Sequence, residues 1–348
     1  VTCLVIGGNG FLGSRLVRHL VDTGEPVRVL TRATSDLRTL SGLDVEHVTG
    51  ELFDADAVRS AMDDCDVVFH CAVDTRAWLR DPAPLYRTNV DALRAVLDVA
   101  ATQPLRKFVF TSTVATIGRV HGRPATEDDA FNWSGHAPEY VKSRVAAEDL
   151  LLGYARDGAV PGVAMCVANT YGPGDWQPTP HGSFVAGAAL GKLPFTIRGC
   201  RAESVGVDDA ARALALAADR GEVGERYIVA ERSIDIEEIV AVAARTAGRE
   251  PPRLVLTKPA LYACGALGSA RATVTRKPVR LTVPSVRLMH FMSEMDHSKA
   301  ERDLGWQPGP VTDAIAEGAQ FWIERRAARP HSRTPADAPS AEPPPPAE

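Results

Sequence analysis

No apolar run in these 348 residues is long enough to cross a bilayer. The longest, residues 260–270, is broken by Gly265 and Gly268, whereas a spanning helix needs about twenty predominantly apolar residues. That stretch is read as a core helix, with an interfacial helix as the other reading. An excess of positive charge is also missing: 39 Lys/Arg stand against 44 Asp/Glu, for a net charge of -5. Without a basic surplus, a DNA- or RNA-binding role is disfavoured. The six cysteines, Cys3, Cys65, Cys71, Cys166, Cys200 and Cys264, form no C-x-x-C pair and have no histidines at ligand spacing. They are read as reduced thiols, with no metal site. Nothing resembling a signal peptide precedes the first apolar strand, so the expected compartment is the cytoplasm, with no membrane partner.

What is present suffices for a large core. Hydrophobic residues make up 45% of the chain and charged residues 24%, as in ordinary globular proteins. The length exceeds that of a usual single domain and predicts one core plus a smaller lobe. Apolar runs at 2–6, 27–31, 45–48, 67–71, 107–112 and 163–168 read as strands, and 14–22, 55–62, 85–101 and 139–154 carry helical spacing. Strands alternating with helices predict an α/β fold, a doubly wound parallel sheet covered on both faces. Between Tyr171 and His181 the chain is broken by Gly172, Pro173, Gly174, Pro178 and Pro180, and a second lobe is expected to begin there. A helix at 207–218 and a strand at 225–229 return to the sheet, and 234–246 is a further helix. The predicted organisation is a Rossmann domain over 1–168 with a return segment at about 202–229. A sequence-interleaved substrate-binding lobe covers 169–201 and 230–326, and a disordered Pro- and Ala-rich tail covers 327–348.

Gly7, Gly10 and Gly13 lie between the first strand and the first helix, in the sequence Gly7-Gly8-Asn9-Gly10-Phe11-Leu12-Gly13. Glycines there permit positive φ and close backbone approach, and the helix start holds a pyrophosphate. The second strand ends Thr31-Arg32-Ala33. No carboxylate stands there to bind a ribose 2′-hydroxyl, and the Arg32 guanidinium suits a 2′-phosphate. NADP(H) is therefore the expected cofactor.

With these features, the segments Asp66-Val67-Val68-Phe69-His70-Cys71-Ala72, Thr88-Asn89-Val90, Phe110-Thr111-Ser112-Thr113, Tyr140 with Ser143-Arg144 and Ala147-Glu148, Tyr171-Gly172-Pro173-Gly174-Asp175 and Val207-Asp208-Asp209 follow one another at characteristic spacing. In this the chain resembles the extended short-chain dehydrogenase/reductase family, in particular the branch of dihydroflavonol reductases, aldehyde/ketone reductases and nucleotide-sugar epimerases. The resemblance implies that Tyr140 is an acid/base, that Thr113 orients a carbonyl, and that Arg144 stands where the family normally has lysine. Positions i and i+4 share a helix face, so the cation lies beside the phenol and favours phenolate. Unlike lysine, arginine cannot relay a proton. A second departure is Ile6, where the family commonly has threonine. The resemblance further implies that Phe11, Leu12, Glu51, Leu52, Cys71, Ala72, Val73, Thr111, Asn169 and Tyr171 border the cofactor. It makes Asn89 a strut near the site, while its sequence setting equally fits a helix N-cap.

Asp74, Trp78, Phe131, Trp133, His136, Trp176 and His181 are the candidate substrate contacts, and the aromatic residues among them favour a partly apolar substrate. The family's nucleotide-sugar enzymes place basic residues just before the Val-Asp segment. Arg198 and Arg201 lie near that position, Arg201 about one residue out of register. Carbonyl reduction therefore ranks first, a nucleotide-sugar epimerase or dehydratase second, and an NADP-binding sensor or scaffold stands as the reading of another class. The family resemblance also implies a homodimer formed through 85–101 and 139–154.

Overall fold

The computed structural model describes residues 2–79, 81–275, 279, 281–290 and 293–328. The chain opens as β1 (Cys3–Ile6), α1 (Phe11–Asp22), β2 (Val27–Thr31), β3 (Glu46–Thr49), α2 (Ala55–Met62) and β4 (Val67–His70). It continues through α3 (Ala83–Tyr86), α4 (Ala92–Ala100), β5 (Lys107–Thr113), α5 (Glu139–Arg156) and β6 (Gly162–Val167). Later, α7 (Val207–Arg220) and β10 (Arg226–Val229) return to the same sheet. The strand order is β10-β6-β5-β4-β1-β2-β3, all parallel.

Side chains alternate across each strand, and the core divides accordingly. Cys3 and Val5 of β1 join the layer of Leu16, Val17, Leu20 and Leu214 from α1 and α7. Leu4 and Ile6 face Val58, Met62, Leu93, Val96 and Leu151 from α2, α4 and α5. Covering both faces is what makes these strands almost wholly apolar.

The second lobe contains β7 (Asn169–Tyr171), α6 (Gly182–Ala189), β8 (Phe195–Ile197), β9 (Arg201–Gly206), β11 (Arg232–Asp235), α8 (Ile236–Thr246) and β12 (Leu254–Leu256). It closes with α9 (Lys258–Thr275), α10 (Val283–Leu288) and α11 (Val311–Ala327). Its strands form a three-stranded sheet, β11-β9-β7, and a parallel pair, β12-β8. Segment 202–206 belongs to this small sheet, and the return to the large sheet starts with α7. Its core joins Ile236, Ile239 and Val240 of α8 to Leu261, Val286 and Ile315.

Two elements differ from the sequence pattern. The expected helix at 85–101 is two α segments joined by a π-helical turn, Arg87–Asp91. The expected core helix at 260–270 is α9, of which only Leu261, Gly265 and Ala272 are buried; it lies on the outside of the lobe with one face against α10. Ala327, expected in the tail, closes α11. Residues 329–348 of that expected tail lie outside the described residues. Among the described residues no helix is long and apolar enough to cross a membrane.

Candidate active site

The loop after β1 meets the loop after β4 at the carboxyl ends of these two central strands, where the strand order reverses, the usual position of a ligand crevice. Gly7 has φ +79°, and a Cβ on it would lie 2.7 Å from the Ala72 backbone nitrogen. A Cβ on Gly13 would overlap the Gly7 carbonyl oxygen, and one on Gly8 would come within 2.7 Å of the Val29 side chain. Each of these three glycines is thus required by close approach: loop to loop at Gly7, helix to loop at Gly13, and loop to sheet at Gly8. The Gly10 N–H donates to the Gly7 carbonyl at 3.0 Å. Gly10 caps α1 without a side chain, and the first turn carries no acidic residue. The free N–H groups and the positive end of the helix dipole are left for an anion.

This cradle forms one end of a cleft of about 1410 Å³. Gly7, Gly10, Phe11, Leu12, Gly13, Arg32, Glu51, Leu52, Cys71, Ala72, Val73, Thr111, Thr113, Tyr140, Arg144, Asn169 and Tyr171 all line it. Arg32 is exposed at its rim and has no ion-pair partner among the described residues.

Asn89 lies beneath the cleft rather than in its wall. Fully buried in the π-helical turn, it accepts from the Asp74 N–H at 2.8 Å and donates to the Asp74 carbonyl and the Ser143 hydroxyl, both at 3.0 Å. The strut reading fits this geometry and the N-cap reading does not. It ties the loop after β4 to α5, the helix bearing Tyr140. A π turn is a common way to aim one side chain out of helical register.

Tyr140 is half-buried on the first turn of α5, and its phenol is hydrogen-bonded to the Thr113 hydroxyl. Burial raises its pKa, opposed by the Arg144 charge and by that hydrogen bond, while the Asp74 carboxylate adds to the rise; the net direction is upward. Arg144, one turn along, is 2% exposed. Its Nη2 donates to the Thr111 carbonyl, its guanidinium sits 4.7 Å from the Phe110 ring centre, and its Nη1 has no partner. Burial pulls the Arg144 pKa down, opposed by Tyr140, Glu148 and Cys166.

Around this pair the sheet supplies a fixed frame. Glu148 accepts from the hydroxyls of Ser112 and Thr116 and pairs with Arg226 at 3.0 Å, so the return strand β10 anchors α5. His70 lies beside Phe108 and Phe110 with both ring nitrogens unpartnered. Burial and the Arg144 charge push its pKa down to about 3, so it is a neutral spacer at pH 7.

The candidate substrate contacts separate into two groups. Asp74, Trp78, Trp176 and His181 line the cleft, whereas Phe131, Trp133 and His136 do not. Trp133 is buried in a satellite core with Ala115 and Val141, its Nε1 donating to the Ile117 carbonyl at 3.3 Å. His136 is exposed, and its carbonyl accepts from Arg287. An aromatic residue in a loop does not reveal which way its ring turns, and here packing took Phe131 and Trp133.

The partners of these residues, and part of the cleft wall, were not anticipated. The Trp176 indole lies between Arg38, 5.5 Å away, and Arg325, 4.7 Å away, linking the two lobes across the cleft. Asp74 is bridged by Arg76, with Nε to Oδ1 at 2.8 Å. Asp175 accepts from the Thr179 N–H and hydroxyl, and burial raises its carboxyl to about 6. Leu281, Ser285, Leu288 and Met289 bring α10 and its preceding loop into the wall. A local signal, the Thr282/Ser285 capping box, marks the start of α10, but its place in the cleft wall is set by long-range packing alone.

Residues 3–230 match the family model described as NAD dependent epimerase/dehydratase. The chain belongs to the NAD dependent epimerase/dehydratase family. A Synechocystis protein named for dihydroflavonol 4-reductase is 31% identical over 329 residues, 92% of this chain and 94% of its own length. Sterol demethylase protein B of Methylococcus capsulatus is 28% identical over 331 residues, 93% of this chain and 99% of its own. The crystal structure of gox2253 superposes with a TM-score of 0.81 at 29% identity, covering 93% of this chain and 98% of that one. This epimerase/dehydratase-family chain therefore has the extended short-chain dehydrogenase/reductase fold at nearly full length. The family's cofactor is a nicotinamide dinucleotide, and the residues here fit one. Gly7, Gly8 and Gly13 leave no room for a Cβ, the α1 N-terminus is uncapped by any side chain, and Arg144 Nη1 is an unused buried donor at the cleft.

Proposed function

We propose that the protein is an NADP(H)-dependent oxidoreductase that reduces an aldehyde or ketone, or oxidises the matching alcohol, in a small, partly apolar substrate. The observation that carries this reading is the Tyr140 phenol, hydrogen-bonded to Thr113 and accompanied by Arg144, in the same cleft as the glycine cradle. The bound nicotinamide would supply or accept the hydride. Gly7–Gly13 and the α1 N-terminus hold its diphosphate, Arg32 the 2′-phosphate, and Arg144 Nη1 a ribose hydroxyl. Thr113 donates to the carbonyl oxygen and Tyr140 delivers the proton, with the fixed Arg144 charge stabilising the phenolate left behind.

A specific observation supports carbonyl reduction over sugar-nucleotide chemistry. Arg198 pairs with Glu237 at 3.2 Å and Arg201 with Glu294 at 2.6 Å, and neither lines the cleft. The two arginines nearest the family's diphosphate-binding position are therefore committed elsewhere. NADPH fluorescence lost in the presence of one of a panel of aldehydes and ketones supports the reading. Binding without turnover would make the protein a sensor or scaffold, and sugar-nucleotide isomerisation with no net cofactor change would make it an epimerase.

Arg32→Glu is expected to weaken NADPH binding by about ten- to a hundredfold, from loss of a charge-assisted bond, and to leave NADH nearly unaffected. Equal titration curves for both cofactors before and after the change would refute the 2′-phosphate assignment.

The reading includes a cytoplasmic, reducing compartment, supported by six cysteines that form no disulfide among the described residues. It also includes a homodimer through α4 and α5, expected as twice the chain mass in light scattering; a monomer mass would overturn that pairing.

A further inference from the structure

The helix α9 is apolar on both sides. Leu261, Gly265, Gly268 and Ala272 form the inner side: a Cβ on Gly265 would lie 3.0 Å from the Val286 side chain, and one on Gly268 would overlap the Leu281 carbonyl oxygen. These small residues let α10 and the turn before it lie close against the helix. Two residues on from each, about 200° round the helix, stand Ala263, Leu267, Ala270 and Val274, all exposed. Leu267 is 72% exposed and Val274 82%. A helix that is apolar all round is ordinarily buried, and this one faces outward. Its only charged residues are Lys258 and Arg271.

Charge is segregated along the sequence that contains this helix. Between residues 251 and 293 the sequence holds Arg253, Lys258, Arg271, Arg276, Lys277, Arg280 and Arg287 and no aspartate or glutamate, in a chain whose acidic residues outnumber its basic ones, 44 to 39. Arg253, Lys258 and Arg271 are exposed, with no ion pairs among the described residues. The Pro- and Ala-rich C-terminal segment after Arg329 carries no Leu, Ile, Val, Met or aromatic residue that would cover an apolar stripe.

We infer that the outer face of α9 docks the protein on an anionic lipid surface, with Leu267 and Val274 entering the headgroup boundary and the exposed Arg253, Lys258 and Arg271 supplying the charge toward lipid phosphates. An apolar stripe flanked by cations is the combination that binds at a bilayer interface. An acidic protein partner would meet the charge but leave the stripe unexplained. This inference departs from the sequence expectation of no membrane partner. Docking would set the substrate cleft close to the lipid, because α10 packs on α9 from one side and lines the cleft with Ser285 and Leu288 from the other. This inference does not depend on the proposed reaction, since binding is read without turnover.

The test is flotation of the full chain with vesicles of phosphatidylcholine alone or mixed equally with phosphatidylglycerol. We expect binding to the mixed vesicles at low salt, release at high salt, and little binding to phosphatidylcholine. Leu267→Glu with Val274→Glu is expected to weaken it by about tenfold or more, with NADPH affinity and thermal midpoint retained. Arg271→Glu provides a second variant with no change to the stripe and is expected to weaken binding by severalfold. No binding to anionic vesicles, or equal binding by wild type and both variants, overturns the inference. So does a stripe variant that turns a dimer into a monomer while wild type ignores vesicles, which would make this face a contact between copies of the chain.

Discussion

Replacing Tyr140 with phenylalanine is expected to lower kcat by about 10²- to 10⁴-fold, the span of a lost general acid, while NADPH affinity and the thermal midpoint hold. The ring stays in its cluster against Val141 and Ala137, and Thr113 keeps its hydrogen bond from the Ala115 N–H at 3.3 Å, so the loss is confined to the hydroxyl. Steady-state rates and fluorescence titration check both halves. Turnover that survives would remove Tyr140 from the chemistry; cofactor affinity that collapses with it would make the residue structural. The direction of its pKa adds a pH signature. Burial outweighs the Arg144 charge and the Thr113 bond, so the phenol stays protonated at neutral pH. Reduction, which needs the acid, is expected to be flat through neutrality and to fall in alkali. Alcohol oxidation, which needs phenolate, is expected to rise with pH over the same alkaline range.

Local chemistry explains which parts of this molecule were legible before the structure. Gly7 and Gly13 could be assigned because close backbone approach leaves no room for a side chain there, and the large sheet because burial on two faces makes its inner strands almost continuously apolar. Tyr140, Thr113 and Arg144 were legible through family spacing, and they share one cleft. The small sheets were not, since β7, β8 and β12 have three residues each, too few for a period, and their pairing is set by distant partners. Asn89 was ambiguous because an N-cap and a strut use the same amide. The π turn that decides between them has no sequence signal. The roles of Trp133 and Trp176 parted for a similar reason: one indole found the Ile117 carbonyl, the other the gap between Arg38 and Arg325. The exposure of α9 was hidden because its two apolar stripes look like one buried helix.

Arg144→Met is expected to separate stability from activity. A buried cation with one unpartnered nitrogen is a stability cost, and an apolar side chain of similar size in such a place is often neutral or stabilising. The Thr111 carbonyl loses a donor, but Glu148 keeps Arg226, Ser112 and Thr116, so no carboxylate is left stranded. The thermal midpoint should therefore hold or rise. Activity should move the other way: kcat falls about 10²- to 10³-fold with the loss of a fixed charge at the reacting oxygen, and NADPH binding weakens with the loss of Nη1. The oxidative limb of the pH profile shifts to higher pH, because Arg144 is the largest influence that lowers the Tyr140 pKa. Arg144→Lys retains the charge while losing the stack on Phe110 and the planar fork, so its limb should stay near the wild-type position even if its rate does not. Thermal melts beside pH–rate profiles for the three proteins decide the matter. A lower midpoint for methionine with an unmoved profile would assign Arg144 to packing; a shifted profile restored by lysine assigns it to the tyrosine, with arginine serving as a permanent charge that no longer passes protons.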